Sequence, residues 1–346
     1  MIKELNGDRC HEMLASEIKG KLAYSDNCNY SEWKLKIRAK LNELLKLDVI
    51  AQNDCELNIE FEETVEFDTY TRIRFTYDSE KGNTVPAYLL IPKLGKDKYP
   101  LAIALQGHST GFHNSIGVVK YDRDVEFQER DCFGLQAVEN GFVTLCIEQR
   151  GMGEVRSPRY PVIGKSHPCS FTAMTALNLG RTIIGERVWD IKKGIDTMEK
   201  LAYPFVDLDK IMVFGTSGGG TATFYAACCD ARIKYAAVSC AFCSYKASIM
   251  DIVHCVCNYI PEASVWFEMG DLSCLVAPAK LTVLAGLHDK IFPIDGVRES
   301  YATVEKIYAR EGTPDNCRLV IMPKDHYWCK DVAWQAINED VKKLGW

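Results

Sequence analysis

No apolar run in this 346-residue chain reaches the roughly 18 residues that would cross a bilayer, so a membrane partner is not expected. A basic stripe is missing too. Lys and Arg number 41 against 47 Asp and Glu, for a net charge of −6, which argues against nucleic acid as a partner. Internal repeats and low-complexity tracts are absent. The opening "MIKELNGDRCHEMLASEIKG" mixes polar and charged residues and lacks an apolar h-region, so no secretory signal is expected and a cytoplasmic location is.

Cysteine, by contrast, is abundant. There are 15, an odd and scattered set, which without a signal peptide reads as reduced thiols. "CAFC" (Cys240, Cys243) has a redox-motif spacing but follows the apolar run "KYAAVS" rather than opening a thioredoxin-like unit. "HCVC" (His254, Cys255, Cys257) offers metal-ligand types, but no second paired cluster completes a four-ligand set. Both motifs therefore read as buried packing cysteines, and neither a metal nor a cofactor is expected.

With 47% hydrophobic and 25% charged residues, the chain can bury a large core as one large domain or two smaller ones. The first 60 residues read as a helical N-terminal extension. In "SEWKLKIRAKLNELLKL", Trp33, Leu35, Ile37, Leu41, Leu44 and Leu45 recur near helical spacing, and Ser31 is a candidate cap. "TRIRFTYDS" and "VPAYLLIP", separated by "EKGNT", read as an antiparallel hairpin. From residue 100 onward short apolar runs alternate with helical segments: "PLAIALQ", "FVTLCIE", "KIMVFG", "KYAAVSC", "KLTVLAG" and "CRLVIM". That alternation predicts an α/β fold over 61–346, with a mostly parallel, doubly wound sheet. Residues 108–135, 150–180 and 241–277 are long excursions between strands, the last a candidate helical cap.

In such a sheet the chemistry lies beyond the carboxyl ends of the strands. After "KIMVF" comes Gly215-Thr216-Ser217-Gly218-Gly219, a G-x-S-x-G sequence. The five-residue pattern arises by chance in about one chain in ten of this length, so its setting between strand and small-residue helix carries the argument. There Ser217 would project as a nucleophile, Gly215 and Gly219 would admit close backbone approach, and the Gly218 N–H would face an oxyanion. Gly220 is expected to pack the helix on the sheet. After "KLTVLAG" comes Asp289, placed to orient an imidazole; Asp295 lies farther on and is expected to start the next helix, and His288 to point elsewhere. After "CRLVIMP" comes His326, the only one of seven histidines C-terminal to both partners. The order Ser217, Asp289, His326 is that of nucleophile, acid and base in α/β-hydrolases. After "PLAIALQ", the backbone N–H of His108 is the candidate second oxyanion donor. Gln149–Glu154, after "FVTLCIE", is expected to brace that loop.

"LQGHSTG", "EQRGMGE", "GERVWDIKKGIDTMEKL", "GTSGGG", "GLHDKIFP" and "DHYW", in that order over residues 60–346, resemble the α/β-hydrolase superfamily. Within it, the chain resembles the acetyl xylan esterase and cephalosporin C deacetylase group and the dienelactone-hydrolase-like esterases. The resemblance implies a serine esterase acting on acetylated carbohydrates or small molecules. It also implies homo-oligomers, which the N-terminal helices would serve. The chain departs from that group in having Gln106-Gly107-His108 where His-Gly-Tyr is usual, Gly218 where Gln is usual, and serine where dienelactone hydrolases use cysteine. Two competing readings are a serine peptidase of the oligopeptidase type, for which 60 helical residues cannot supply a propeller, and a non-catalytic hydrolase-like binding protein, for which no triad member is missing.

Overall fold

In the computed structural model, residues 6–128, 130–159 and 169–346 are described. Nine strands form one sheet: β1 (Glu60–Glu66), β2 (Tyr70–Glu80), β3 (Asn83–Pro92), β4 (Tyr99–Leu105), β5 (Val143–Ile147), β6 (Val206–Thr216), β7 (Ile233–Ser239), β8 (Lys280–Gly286) and β9 (Cys317–Met322). Helices α1 (Arg9–Glu17), α2 (Tyr30–Leu45) and α3 (Leu47–Ala51) precede it. The rest are α4 (Phe133–Glu139), α5 (Ser170–Asn178), α6 (Ile183–Leu201), α7 (Gly218–Cys229), α8 (Ala263–Trp266), α9 (Met269–Val276), α10 (Ile294–Arg310) and α11 (Lys330–Leu344). No described helix is long and apolar enough to cross a membrane.

The spatial order is β1-β2-β3-β5-β4-β6-β7-β8-β9. β1, β2, β3 and β5 pair antiparallel; from β5 to β9 every pairing is parallel. The α/β expectation and the hairpin, β2 with β3, both hold. β1 was not foreseen. Its sequence, "EFEETVE", is dominated by glutamate, and the strand lies largely exposed at the sheet edge, where charge discourages pairing with another chain.

Alternation along the strands divides the core between two faces. Leu101, Ile103 and Leu105 of β4 and Ile211 and Val213 of β6 pack in one apolar cluster, which includes side chains of α2, α6, α7, α9 and α10. Ala102, Ala104, Met212 and Phe214 face the other way, toward Phe133 and Ala137 of α4 and Trp334 and Ile337 of α11. Trp33, Ile37, Leu41, Leu44 and Leu45 of α2 belong to the first cluster, so the N-terminal helices share the core of the sheet. Leu35 does not join them and stays exposed. Nor does Ser31 cap α2: the helix already includes Tyr30, and Asn29 holds the cap position. In 241–277, the candidate cap, the C-terminal part is α9, a buried layer helix packed on α7 and α10.

Candidate active site

β4 and β6 lie side by side, yet β5, which falls between them in sequence, sits on the far side of β4. The connections after β4 and β6 therefore diverge, leaving a crevice at the carboxyl ends of the strands. Ser217 stands there, between β6 and the first residue of α7, with φ 52° and ψ −123°. A non-glycine residue in that region costs on the order of 1–3 kcal/mol and is held by its surroundings. The Ser217 N–H donates to the Ser239 carbonyl (2.9 Å), and the Thr221 N–H donates to the Ser217 carbonyl (2.8 Å). Close approach explains the flanking glycines. A Cβ on Gly215 would lie 2.5 Å from the Leu105 carbonyl oxygen, and one on Gly219 would collide with the same atom. Gly220 meets the end of β7, where a Cβ would fall 2.6 Å from the Ser239 carbonyl oxygen.

Asp289 follows β8, buried, in the turn before α10. Its Oδ1 accepts from the backbone N–H groups of Ile291 (2.7 Å) and Phe292 (3.1 Å), which leaves Oδ2 for His326 Nδ1 at 2.8 Å. His326 stands in the loop between β9 and α11, its side chain 25% exposed, and its ring stacks on Phe292 at 5.9 Å. Phe292 thus holds the imidazole from one face, a role with no signal in the sequence. The rival residues go elsewhere. Asp295 opens α10 and pairs in solvent with Arg298, and His288 is exposed. Cys240, from "CAFC", is buried with its Sγ close to the Asp289–His326 pair.

The β4 loop reaches the serine: a Cβ on Gly107 would touch the Thr216 carbonyl oxygen at 3.0 Å and Ser217 Cβ at 3.3 Å. The His108 ring lies against Gly218, as does the Met152 methyl, which sequence reasoning did not single out. Gly218 opens α7, so its N–H is among the first-turn amides that no intrahelical carbonyl accepts. Below this loop lies a buried polar brace. Gln149 donates to the Gln106 carbonyl, and Arg150 pairs with Asp190 and Glu80. Glu148 accepts from Gln106 Nε2 (2.6 Å) and from the N–H groups of Phe112 (3.1 Å) and Glu154 (3.2 Å).

Burial pushes the Glu148 carboxyl up from 4.5 to about 7. A folded value above the unfolded one means that Glu148 costs the fold nothing below pH ~4.5 and withdraws stability as pH rises through about 7. The loss is on the order of 3 kcal/mol. Glu148→Gln cannot ionise. Its stability relative to the native chain, read from urea unfolding, is therefore expected to rise by that order between pH 4.5 and 8. A flat difference would show that the buried carboxyl ionises at no cost.

The cysteine motifs divide. Cys255 and Cys257 are buried as expected, but they meet Cys169 and the His108 ring rather than apolar neighbours alone. His254 turns away to Ser248 Oγ at 3.0 Å.

The chain belongs to the Abhydrolase family, which it matches over residues 8–306. It is 26% identical over 257 residues to the "Putative hydrolase YtaP" of Bacillus subtilis strain 168, covering 73% of this chain and 81% of that protein. Its fold superposes on a "putative acetyl xylan esterase" from Bacteroides fragilis NCTC 9343, with TM-score 0.78, 14% identity and coverage of 97% and 95% of the two chains. It also superposes on a glucuronoyl esterase from Solibacter usitatus, with TM-score 0.65, 16% identity and coverage of 94% and 98%. The α/β-hydrolase fold expected from the sequence is thus the fold observed.

Proposed function

We propose that this chain is a serine hydrolase that cleaves carboxylic esters, with acetyl esters of carbohydrates as its substrate class. The observation that carries the reading is the Asp289–His326 pair, fixed by two backbone amides and an aromatic face at the same sheet end as the strained Ser217. Ser217 Oγ attacks the ester carbonyl while His326 Nε2 takes its proton, forming the Oγ–C bond and an oxyanion. The N–H groups of His108 and Gly218 hold that oxyanion, each contributing about 3 kcal/mol to lowering the barrier. Collapse breaks the bond to the leaving alcohol, which receives the proton from His326. Water then attacks the acyl-enzyme by the same route and returns the proton to Ser217. This chemistry is complete without metal or cofactor at the reacting atoms.

The names borne by the structural relatives, acetyl xylan esterase and glucuronoyl esterase, support a sugar ester as substrate but place the sugar on opposite sides of the bond. The two relatives named acetyl xylan esterases favour acetyl as the acyl group. The expected result is release of p-nitrophenol from the acetate ester with kcat/KM at least about tenfold above the butyrate, in keeping with what two methylenes cost a tight pocket. Acetylated xylo-oligosaccharides are expected to be deacetylated, and methyl esters of glucuronate left intact. Hydrolysis of the glucuronate esters alone would move the sugar to the acyl side. Failure on every ester would remove the esterase reading, and peptide amide cleavage at a comparable rate would favour a peptidase.

A further inference from the structure

Four soft donors converge beside the oxyanion loop although the sequence scatters them. His108 follows β4, Cys169 directly precedes α5, and Cys255 and Cys257 lie between β7 and α8. Their ligand atoms all fall within 4.8 Å of one another. His108 Nε2 is 3.1 Å from Cys257 Sγ and 3.5 Å from Cys169 Sγ, and Cys169 Sγ is 3.2 Å from Cys255 Sγ. We propose that His108, Cys169, Cys255 and Cys257 form a tetrahedral zinc site that staples three loops at the rim of the active site.

The donor chemistry fits. Three thiolates and one imidazole nitrogen are a common ligand set for structural zinc. Zinc–sulfur bonds of about 2.3 Å and zinc–nitrogen bonds of about 2.0 Å set tetrahedral donors about 3.5–3.8 Å apart. The 3.5 Å His108–Cys169 separation already matches, and the 3.1 and 3.2 Å separations need open by about half an ångström to admit the ion. A nest within 4.8 Å encloses one ion rather than a multi-iron cluster.

The surroundings fit as well. All three cysteines are buried, in an apolar cluster with Met152, Ala173 and Ile183. Zinc with three thiolates carries a net charge of −1, which is costly to bury unpaired. The guanidinium of Arg187, itself only 2% exposed, donates to the Arg150 carbonyl (3.2 and 3.0 Å) and lies near enough to the three cysteines to interact with their charge, and so supplies the offsetting charge.

Four protein ligands leave no open position for water or substrate, so the role is structural. The bridged residues are separated by 61, 86 and 149 positions in the chain, and an ion joining them removes the freedom of long loops that have little regular structure of their own. His108 is the link to function. With Nε2 on the metal, its ring is fixed against Gly218, next to Gly107, whose backbone lies beside Thr216 and Ser217.

The test is metal content of the full chain, purified under reductant without chelator and measured by plasma mass spectrometry. About one zinc per chain is expected, with loss in Cys257→Ser and in the Cys169→Ser, Cys255→Ser double variant, and retention in Ser217→Ala. Retention there separates this proposal from the esterase reading. A readout independent of any ligand variant guards against misfolding. The native chain, stripped by chelator and reloaded with cobalt(II) under reductant, is expected to show the intense visible bands of tetrahedral coordination with thiolate-to-cobalt charge transfer. A reduced native chain that takes up neither zinc nor cobalt would overturn the proposal. So would an unchanged zinc content in folded ligand variants, or a Cys169–Cys255 disulfide recovered in place of metal.

Discussion

Ser217→Ala is expected to lower kcat on p-nitrophenyl acetate by about 10⁵–10⁶, to the level left by binding and the oxyanion donors alone. The same substitution is expected to leave stability within about 0.5 kcal/mol of the native chain. The two expectations have different physical sources. Catalysis depends on Oγ, which alanine lacks. The fold depends on the backbone at φ 52°, on the N–H bonded to Ser239 and on the carbonyl that accepts from Thr221, all of which alanine keeps. Alanine has the same Cβ as serine and meets the same cost in this region of backbone space, so the corner does not relax. The measurement pairs initial rates at saturating substrate with urea unfolding of both proteins. Equal rates would place the nucleophile elsewhere. A large loss of stability would show that Oγ serves the fold.

The site was more legible than its surroundings because its parts are each announced locally. Ser217 and Asp289 follow buried apolar runs and His326 follows a partly buried one at the sheet edge, and the parallel sheet carries those three positions to one end without any contact having to be foreseen. The glycines around Ser217 were readable for the same reason: a sharp strand-to-helix corner has few solutions. Contacts between distant segments were not readable. Phe292 stacks on His326 from another loop, and the buried Met152 packs against Gly218 from the loop after β5. The cysteine set is the clearest instance. "HCVC" shows two of the four donors, but Cys169 and His108 arrive from positions 86 and 149 residues earlier in the chain than their partners Cys255 and Cys257. No spacing rule connects them. β1 was hidden differently, because an exposed edge strand dominated by glutamate has no apolar face to betray it.

Asp289→Asn tests the electrostatic half of the proposal, and the local hydrogen bonds decide which way the new amide turns. Two backbone N–H groups, of Ile291 and Phe292, donate to one oxygen of the side chain. An asparagine keeps both bonds only by placing its carbonyl oxygen there, since its NH₂ cannot accept. The NH₂ then occupies the Oδ2 position and points at His326 Nδ1, 2.8 Å away in the native chain. Facing a donor, Nδ1 must give up its proton and accept, which puts the remaining proton on Nε2, the atom needed as base. The geometry stays and the tautomer is wrong. The expected loss in kcat is about 10⁴-fold, with KM little changed. Because hydroxide can take the Ser217 proton at high pH while the rest of the site stays in place, the loss is expected to shrink as pH rises. A purely structural role for Asp289 would instead reduce activity evenly across pH. Comparing rate–pH profiles of the native and Asp289→Asn chains separates the two.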